Sequence, residues 1–326
     1  MNTGLRITAF AAAIVATFGT AYGVGASIDP VVAEKPPAAH DEHAEAGGEE
    51  AGEKAEGGHD GASGAAGGLQ ISEGGYTLAL DTPRVAAGKP ATLRFSVKDD
   101  SGRSLTSYTR EHGKELHFIV ASRDLTVYRH LHPTRAADGT WSVAAKLPAA
   151  GGYRAFADFK PAGKGATGIT LGADLAVSGR SEPAALPPVR ATAEVDGYQV
   201  TLDGALTPGK ARELTLSVSR DGKPVTDLQP YLGAYGHLVA LRAGDLAYLH
   251  VHPNGEPDDG VTEPGPEVSF TATAPSPGEY RLFLDFQHKG EVRTAAFTVD
   301  VPAAGAGESE EGEDSTESEE SGSHGH

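Results

Sequence analysis

The chain has 326 residues, no Cys, a single Met at position 1, and 27 basic against 45 acidic residues for a formal charge of −18. That length accommodates two ordinary domains with unstructured flanks. The missing Cys excludes disulfides, thiolate metal sites and Cys nucleophiles, and the single Met excludes thioether sites for Cu(I), so any metal must be held by imidazole and carboxylate.

The N-terminus sets Arg6 before the uncharged stretch Ile7 to Ala26, which reads as an export signal over 1–26. The small residues before Ser27 suit cleavage, while about 20 residues also suffice to span a bilayer. A single Arg on the short side favours an uncleaved anchor with the remainder outside. The body is therefore expected to be extracytoplasmic, secreted or held at the membrane by this segment. Residues 27–68 carry 10 acids and 2 bases among Gly and Ala, too few large apolar groups to offset the entropy of ordering, and are expected to be a disordered tether. The tail 302–326, with 8 acids and no base, reads the same way. Between the flanks the charge nearly balances, and no basic patch suited to nucleic acid is present.

Two patterned regions, 69–178 and 190–301, flank a Pro-rich linker at 179–189 and repeat one unit. His117 matches His237, and Tyr128, His130, His132 and Pro133 match Tyr248, His250, His252 and Pro253, all 120 residues apart. Further on, GGYRAFADF at 151–159 aligns with GEYRLFLDF at 278–286, because the second copy carries an extra acidic loop at 254–266. In the first copy YTLALD, ATLRFSV, LHFIVAS, LTVYRHL, TWSVAAKL, YRAFADF and GADLAVS read as seven short strands without a helical period. The predicted fold is all-β: two tandem immunoglobulin-like β-sandwich domains with disordered acidic tails. Tyr153 and Tyr280, after Gly-containing turns, suit the corner tyrosine of such a fold.

The histidines are where the chemistry concentrates. A two-residue turn at Arg123-Asp124 would set His117 opposite His130, and one at Ala243-Gly244 would set His237 opposite His250. His132 and His252 share the faces of His130 and His250. Strand F running antiparallel beside strand C would bring Asp158 near His117 and Asp285 near His237. Three imidazoles and a carboxylate in each repeat make a plausible site for one divalent first-row ion, copper or zinc. The plainer alternative is that the histidines are structural and that Arg154 and Arg281, four residues before the aspartates, pair with them. In the first repeat Phe118, Val120, Leu125, Val127 and Leu131 form the core face, so the histidines point outward. In the second, the histidine face also carries Val239, Leu241 and Leu246, which suggests cover by the other domain. His112 reads as a solvated loop residue that can also extend the first site, and His288 as a surface residue. His40, His43, His59, His324 and His326 sit in the acidic flanks, where such tracts either collect metal loosely or are merely solvated.

With these residues in view, the chain resembles a group of uncharacterised exported actinobacterial proteins whose repeated core reads H-x-K-x-L-H, D-L, H-L-H-P, G-x-Y-R-x-F-x-D-F. Here those are His112, Lys114, Leu116, His117, Asp124, Leu125, His130, Leu131, His132, Pro133 and the run Tyr153 to Phe159. The resemblance covers 76–301 and implies an association with heavy-metal or copper handling. The second repeat departs from it, with QPYLGAYGH at the entry to His237. The leading expectation is a metal chaperone or buffer with one site per domain. The alternative is an interaction module for an envelope partner. Without a thiolate or a nucleophile signal, an enzyme is not expected.

Overall fold

The computed structural model describes residues 66–303 apart from position 250, all within one compact unit. The leader, the tether up to residue 65, the tail beyond 303, and with them His40, His43, His59, His324 and His326, lie outside the described residues. Among those described, no helix is long and apolar enough to cross a membrane.

Each repeat folds into two packed sheets. In the first, one sheet runs Ser72–Glu73, Tyr76–Leu80, Pro90–Asp99, Trp141–Lys146, Thr134–Arg135. The facing sheet runs Arg84–Ala86, Ile169–Ser178, Gly151–Pro161, Leu116–Ser122, Tyr128–Leu131. All seven expected strands are present, and the short Arg84–Ala86 strand adds a parallel partner to Ile169–Ser178. The second repeat repeats the plan, with Thr192–Val195, Tyr198–Asp203, Ala211–Arg220, Glu267–Thr273 and Val251–Pro253 in one sheet. Its facing sheet is Tyr248–Leu249, His237–Arg242, Gly278–His288, Glu291–Val301.

Alternation along the strands explains the two cores. Leu93, Phe95 and Val97 point inward from Pro90–Asp99 while Thr92 and Arg94 point out, the period-2 pattern of a sheet with one solvated face. Phe95 stacks on Phe118 at 4.1 Å and lies near Trp141. Phe270, Phe286 and Phe297 fill the second core. The corner tyrosines are as expected: the Tyr153 hydroxyl donates to the Ala149 carbonyl and that of Tyr280 to the Ser276 carbonyl, each at 2.8 Å. Replacing either with Phe removes one such bond while keeping the ring, so each variant should lose about 1 kcal/mol in urea denaturation.

Leu116–Ser122 breaks the alternation, since all seven of its residues are buried. The face that does not meet its own core meets the other repeat. Ile119, Ala121, Leu125, Tyr128 and Phe156 pack against Val239, Leu241, Leu246, Tyr248 and Phe283 in a third cluster between the sandwiches. Tyr128 stacks on Phe283 at 4.1 Å, and the equivalent pair Tyr248 and Phe156 meets at 5.7 Å. Residue i of one copy thus meets residue j of the other and vice versa, the reciprocal pattern of a two-fold interface, here within one chain. The histidine face of the first repeat is therefore not directed outward as expected. It is covered, and Leu125 belongs to this seam rather than to the core of its own repeat.

The chain enters the body at the same seam. Gly67 and Tyr248 exchange backbone hydrogen bonds of 3.1 and 2.9 Å, and the Arg154 guanidinium donates to the carbonyls of Gly68 and Leu69 at 2.7 Å. Gly68 has φ of 71°, and a Cβ there would lie 2.5 Å from the Phe156 ring, so only glycine fits. The last residues of the expected tether are thus ordered. The linker is also tied down, with Leu186 against the seam and the Ala184 N–H donating to Asp124 at 3.1 Å.

Candidate metal centre

The hairpin that carries the first histidines turns through four residues, not two. The Ser122 N–H donates to the Val127 carbonyl at 2.9 Å, and Leu125 takes a φ of 54°. Asp124 accepts from the Thr126 N–H and hydroxyl at 3.2 and 2.8 Å, fixing the loop. The register therefore pairs Ile119 with His130 and Phe118 with Leu131, two residues off the expected count. A shift of two keeps every side chain on its face. His117 and His130 still converge, and one step beyond the last pair His132 comes across from His117.

The strand-F prediction for the aspartates holds: Asp158 pairs with His117 and Asp285 with His237. Neither aspartate meets the arginine four residues before it. Arg154 is taken by Asp174 at 2.9 Å and by backbone carbonyls, and Arg281 donates to Thr298 at 2.9 Å. Instead, Asp158 accepts from the Thr170 hydroxyl at 2.9 Å and Asp285 from the Thr294 hydroxyl at 2.5 Å.

Among the described residues, the clustered imidazoles come from both repeats. His117, His130 and His237 each offer a ligand nitrogen, all within 4.8 Å of one another, the one such group among the described residues. Across the seam, His130 Nδ1 lies 2.8 Å from Asp285 Oδ2, with only 3% and 2% of the two side chains exposed. His117 Nδ1 lies 3.2 Å from His130 Nε2, and His117 Nε2 lies 3.3 Å from the Glu111 carbonyl. His237 Nδ1 and His132 Nε2 are buried without hydrogen-bond partners. Asp158 is outside the trio. His252 is on Val251–Pro253, which has switched to the other sheet and pairs with Glu267–Thr273, with Thr271 as its register partner. His250 lies outside the described residues.

Two residues were placed differently by the sequence. His112, held at φ of 50°, brings its ring to 6.2 Å from His117 and 6.1 Å from His237. His288 is buried, bonded to the Tyr198 hydroxyl at 2.7 Å and to Asp227 at 3.0 Å, and has no part in the cluster. The near-continuous apolar runs HFIVA and LVAL were the available signal that both faces of these strands are covered.

Burial keeps His117, His132 and His237 neutral. Desolvation lowers His117 to about 4, with the nearby Asp158 carboxylate opposing the shift and His130 adding to it. It lowers His132 to about 3, helped by His130 and Lys114, and holds His237 well below its usual value, helped by His130 and His117. Neutral imidazoles with free lone pairs are the form that binds metal.

Residues 70–170 and 193–303 match a family model described as "Domain of unknown function (DUF8832)". The chain belongs to this family. The two DUF8832 matches fall on the two sandwiches, so the repeat is the family's unit and the seam joins two copies of it. No curated protein matches the chain. Among solved structures it is similar to the Escherichia coli adhesin FdeC, at 15% identity and a TM-score of 0.22 over 71% of this chain and 65% of that one. It is similar to Salmonella α2-macroglobulin, at 12% identity and a TM-score of 0.23 over 72% of this chain and 15% of that one. It is also similar to a DUF4785 family protein of Legionella pneumophila, at 9% identity and a TM-score of 0.25 over 69% of this chain and 57% of that one. The chain thus spans less than two thirds of each of these proteins, and likenesses at such scores do not bear on function.

Proposed function

We propose that the protein is an extracytoplasmic metal carrier or buffer that holds one divalent first-row ion, zinc(II) or copper(II), between its two repeats. The observation that carries this reading is the 3.2 Å approach of His117 Nδ1 to His130 Nε2. Metal binding requires neutral rings, and in that form, because a carbonyl and a carboxylate only accept, the Glu111 and Asp285 contacts commit the single N–H of each ring to its outer nitrogen. The two facing nitrogens then present lone pairs to each other, an arrangement that a cation between them relieves. A proton would satisfy only these two. The third imidazole, His237, has a ring nitrogen within 4.8 Å of both, which favours a metal. At a metal–nitrogen distance of about 2.0–2.1 Å, tetrahedral ligand nitrogens stand about 3.3 Å apart, close to the spacing observed. Bonds from ligand imidazoles to a carboxylate and a backbone carbonyl are the usual outer support of such sites.

Export rests on the leader read from residues 1–26, and the reading assigns no catalysis and no nucleic-acid partner. The rival reading, a metal-free module for an envelope partner, draws on the apolar seam, which docks the repeats without any ion. Calorimetric titration of the full chain, made without a polyhistidine tag and stripped of metal, separates them. One tight equivalent of Zn(II) or Cu(II) is expected, lost in His117→Ala/His130→Ala. Absence of binding tighter than about 0.1 mM in a folded protein would favour the rival, and two tight equivalents would point to a site in each repeat.

A further inference from the structure

The trio leaves one coordination position open, and two imidazoles stand close enough to compete for it. Around a tetrahedral ion with metal–nitrogen distances of about 2.0–2.1 Å, ring centroids fall roughly 5 Å from one another. The three pairs within the trio lie at 5.4, 4.7 and 5.3 Å. His132 stands 4.9 Å from His130 and 6.0 Å from His117, whereas His112 reaches no closer than 6.1 Å to any of them. His132 also carries an independent mark: its Nε2 is buried without a hydrogen-bond partner. A buried unpaired polar atom is destabilising, and a metal bond removes that cost.

Resting on the metal-binding reading above, we propose that His132 is the fourth ligand, closing an all-imidazole tetrahedral centre whose ion is zinc(II). Four nitrogens in a tetrahedral array suit an ion without a geometric preference of its own, while copper(II) favours tetragonal surroundings. A site with no open position does not activate water. Three ligands from the first repeat and one from the second would make the ion a clasp across the seam.

Cobalt(II) serves as the probe, because its visible bands are intense only in a four-coordinate site. The metal-stripped full chain, titrated with Co(II) and then displaced by Zn(II), should show intense tetrahedral bands saturating at one equivalent. His132→Ala, with unchanged circular dichroism, should weaken Zn(II) binding at least about 100-fold, the upper end of what losing an outer-shell partner costs, and its Co(II) bands should shift as water takes the position of the imidazole. His112→Ala should leave both unchanged. If His132→Ala binds within about threefold of the parent with the same Co(II) spectrum, His132 is not a ligand, although the trio stands. If His112→Ala causes the loss instead, the assignment passes to His112. If the parent binds neither ion, the metal reading fails and this proposal falls with it.

Discussion

Phe283→Ala is expected to destabilise the protein by about 3–5 kcal/mol, the usual cost of emptying a buried phenylalanine site, and to do so in the repeat that does not contain it. Phe283 belongs to the second sandwich, yet it lies on the seam, 3% exposed, with its ring stacked on Tyr128 of the first. Trp141 is the only Trp in the chain and sits in the first core, so its fluorescence follows the first repeat alone. A denaturant titration should therefore show the Trp141 midpoint moving down when Phe283 is truncated, because the first repeat loses docking energy. Phe156→Ala, the reciprocal position, should shift the same midpoint further, since it also opens a site in the first repeat. An unchanged Trp141 midpoint in Phe283→Ala would mean that the two sandwiches unfold independently and that the seam contributes nothing.

Acid should be the second strong perturbation. His117 titrates near 4 in the folded chain against an ordinary value of 6.5, because burial penalises its charged form. Between those values the unfolded chain binds a proton that the folded chain does not, so stability rises with pH across the window. The contribution is complete above about 6.5 and is lost as pH falls toward 4. At about 1.4 kcal/mol per unit for one proton, His117 accounts for about 3 kcal/mol. His132, lowered to about 3, and His237, held well below its usual value by burial, add to the loss in the same direction. Urea midpoints of the metal-free protein from pH 7 to 4 should fall steeply, and His117→Gln should flatten the slope by about one proton. A flat profile in the parent would mean that these imidazoles are solvated. Bound metal should be released over the same acidic range, since protons compete for the same nitrogens.

The strands and corners were legible because they follow local rules: alternation marks Pro90–Asp99, and a Gly-x-Tyr after a turn marks Tyr153. The duplication was legible for the same reason, as matched spacing. The hairpin register was not, because it depends on a leucine in a left-handed conformation at position 125, and again at position 246 with φ of 64°. Leucine carries no signal for that backbone, whereas the Asp124 contacts that hold the loop emerge only once it is folded. The path of the second His-x-His phrase was also hidden. Two copies with the same residues diverge when Val251–Pro253 leaves one sheet for the other, next to the extra loop at 254–266. The partnership of His130 with Asp285 spans 155 residues of sequence and depends on how two domains dock, which no local pattern encodes. Yet the apolar residues sharing the histidine face, Val239 and Leu241 among them, did announce that something covers it.

The backbone bridge from Gly67 to Tyr248 has a mechanical consequence. Any tension applied through the preceding polypeptide reaches both halves of the molecule together, because Gly67 is fastened to the second repeat while Gly68 and Leu69 are gripped by Arg154 of the first. A load from that end therefore bears on the join between the halves before it can unravel either one.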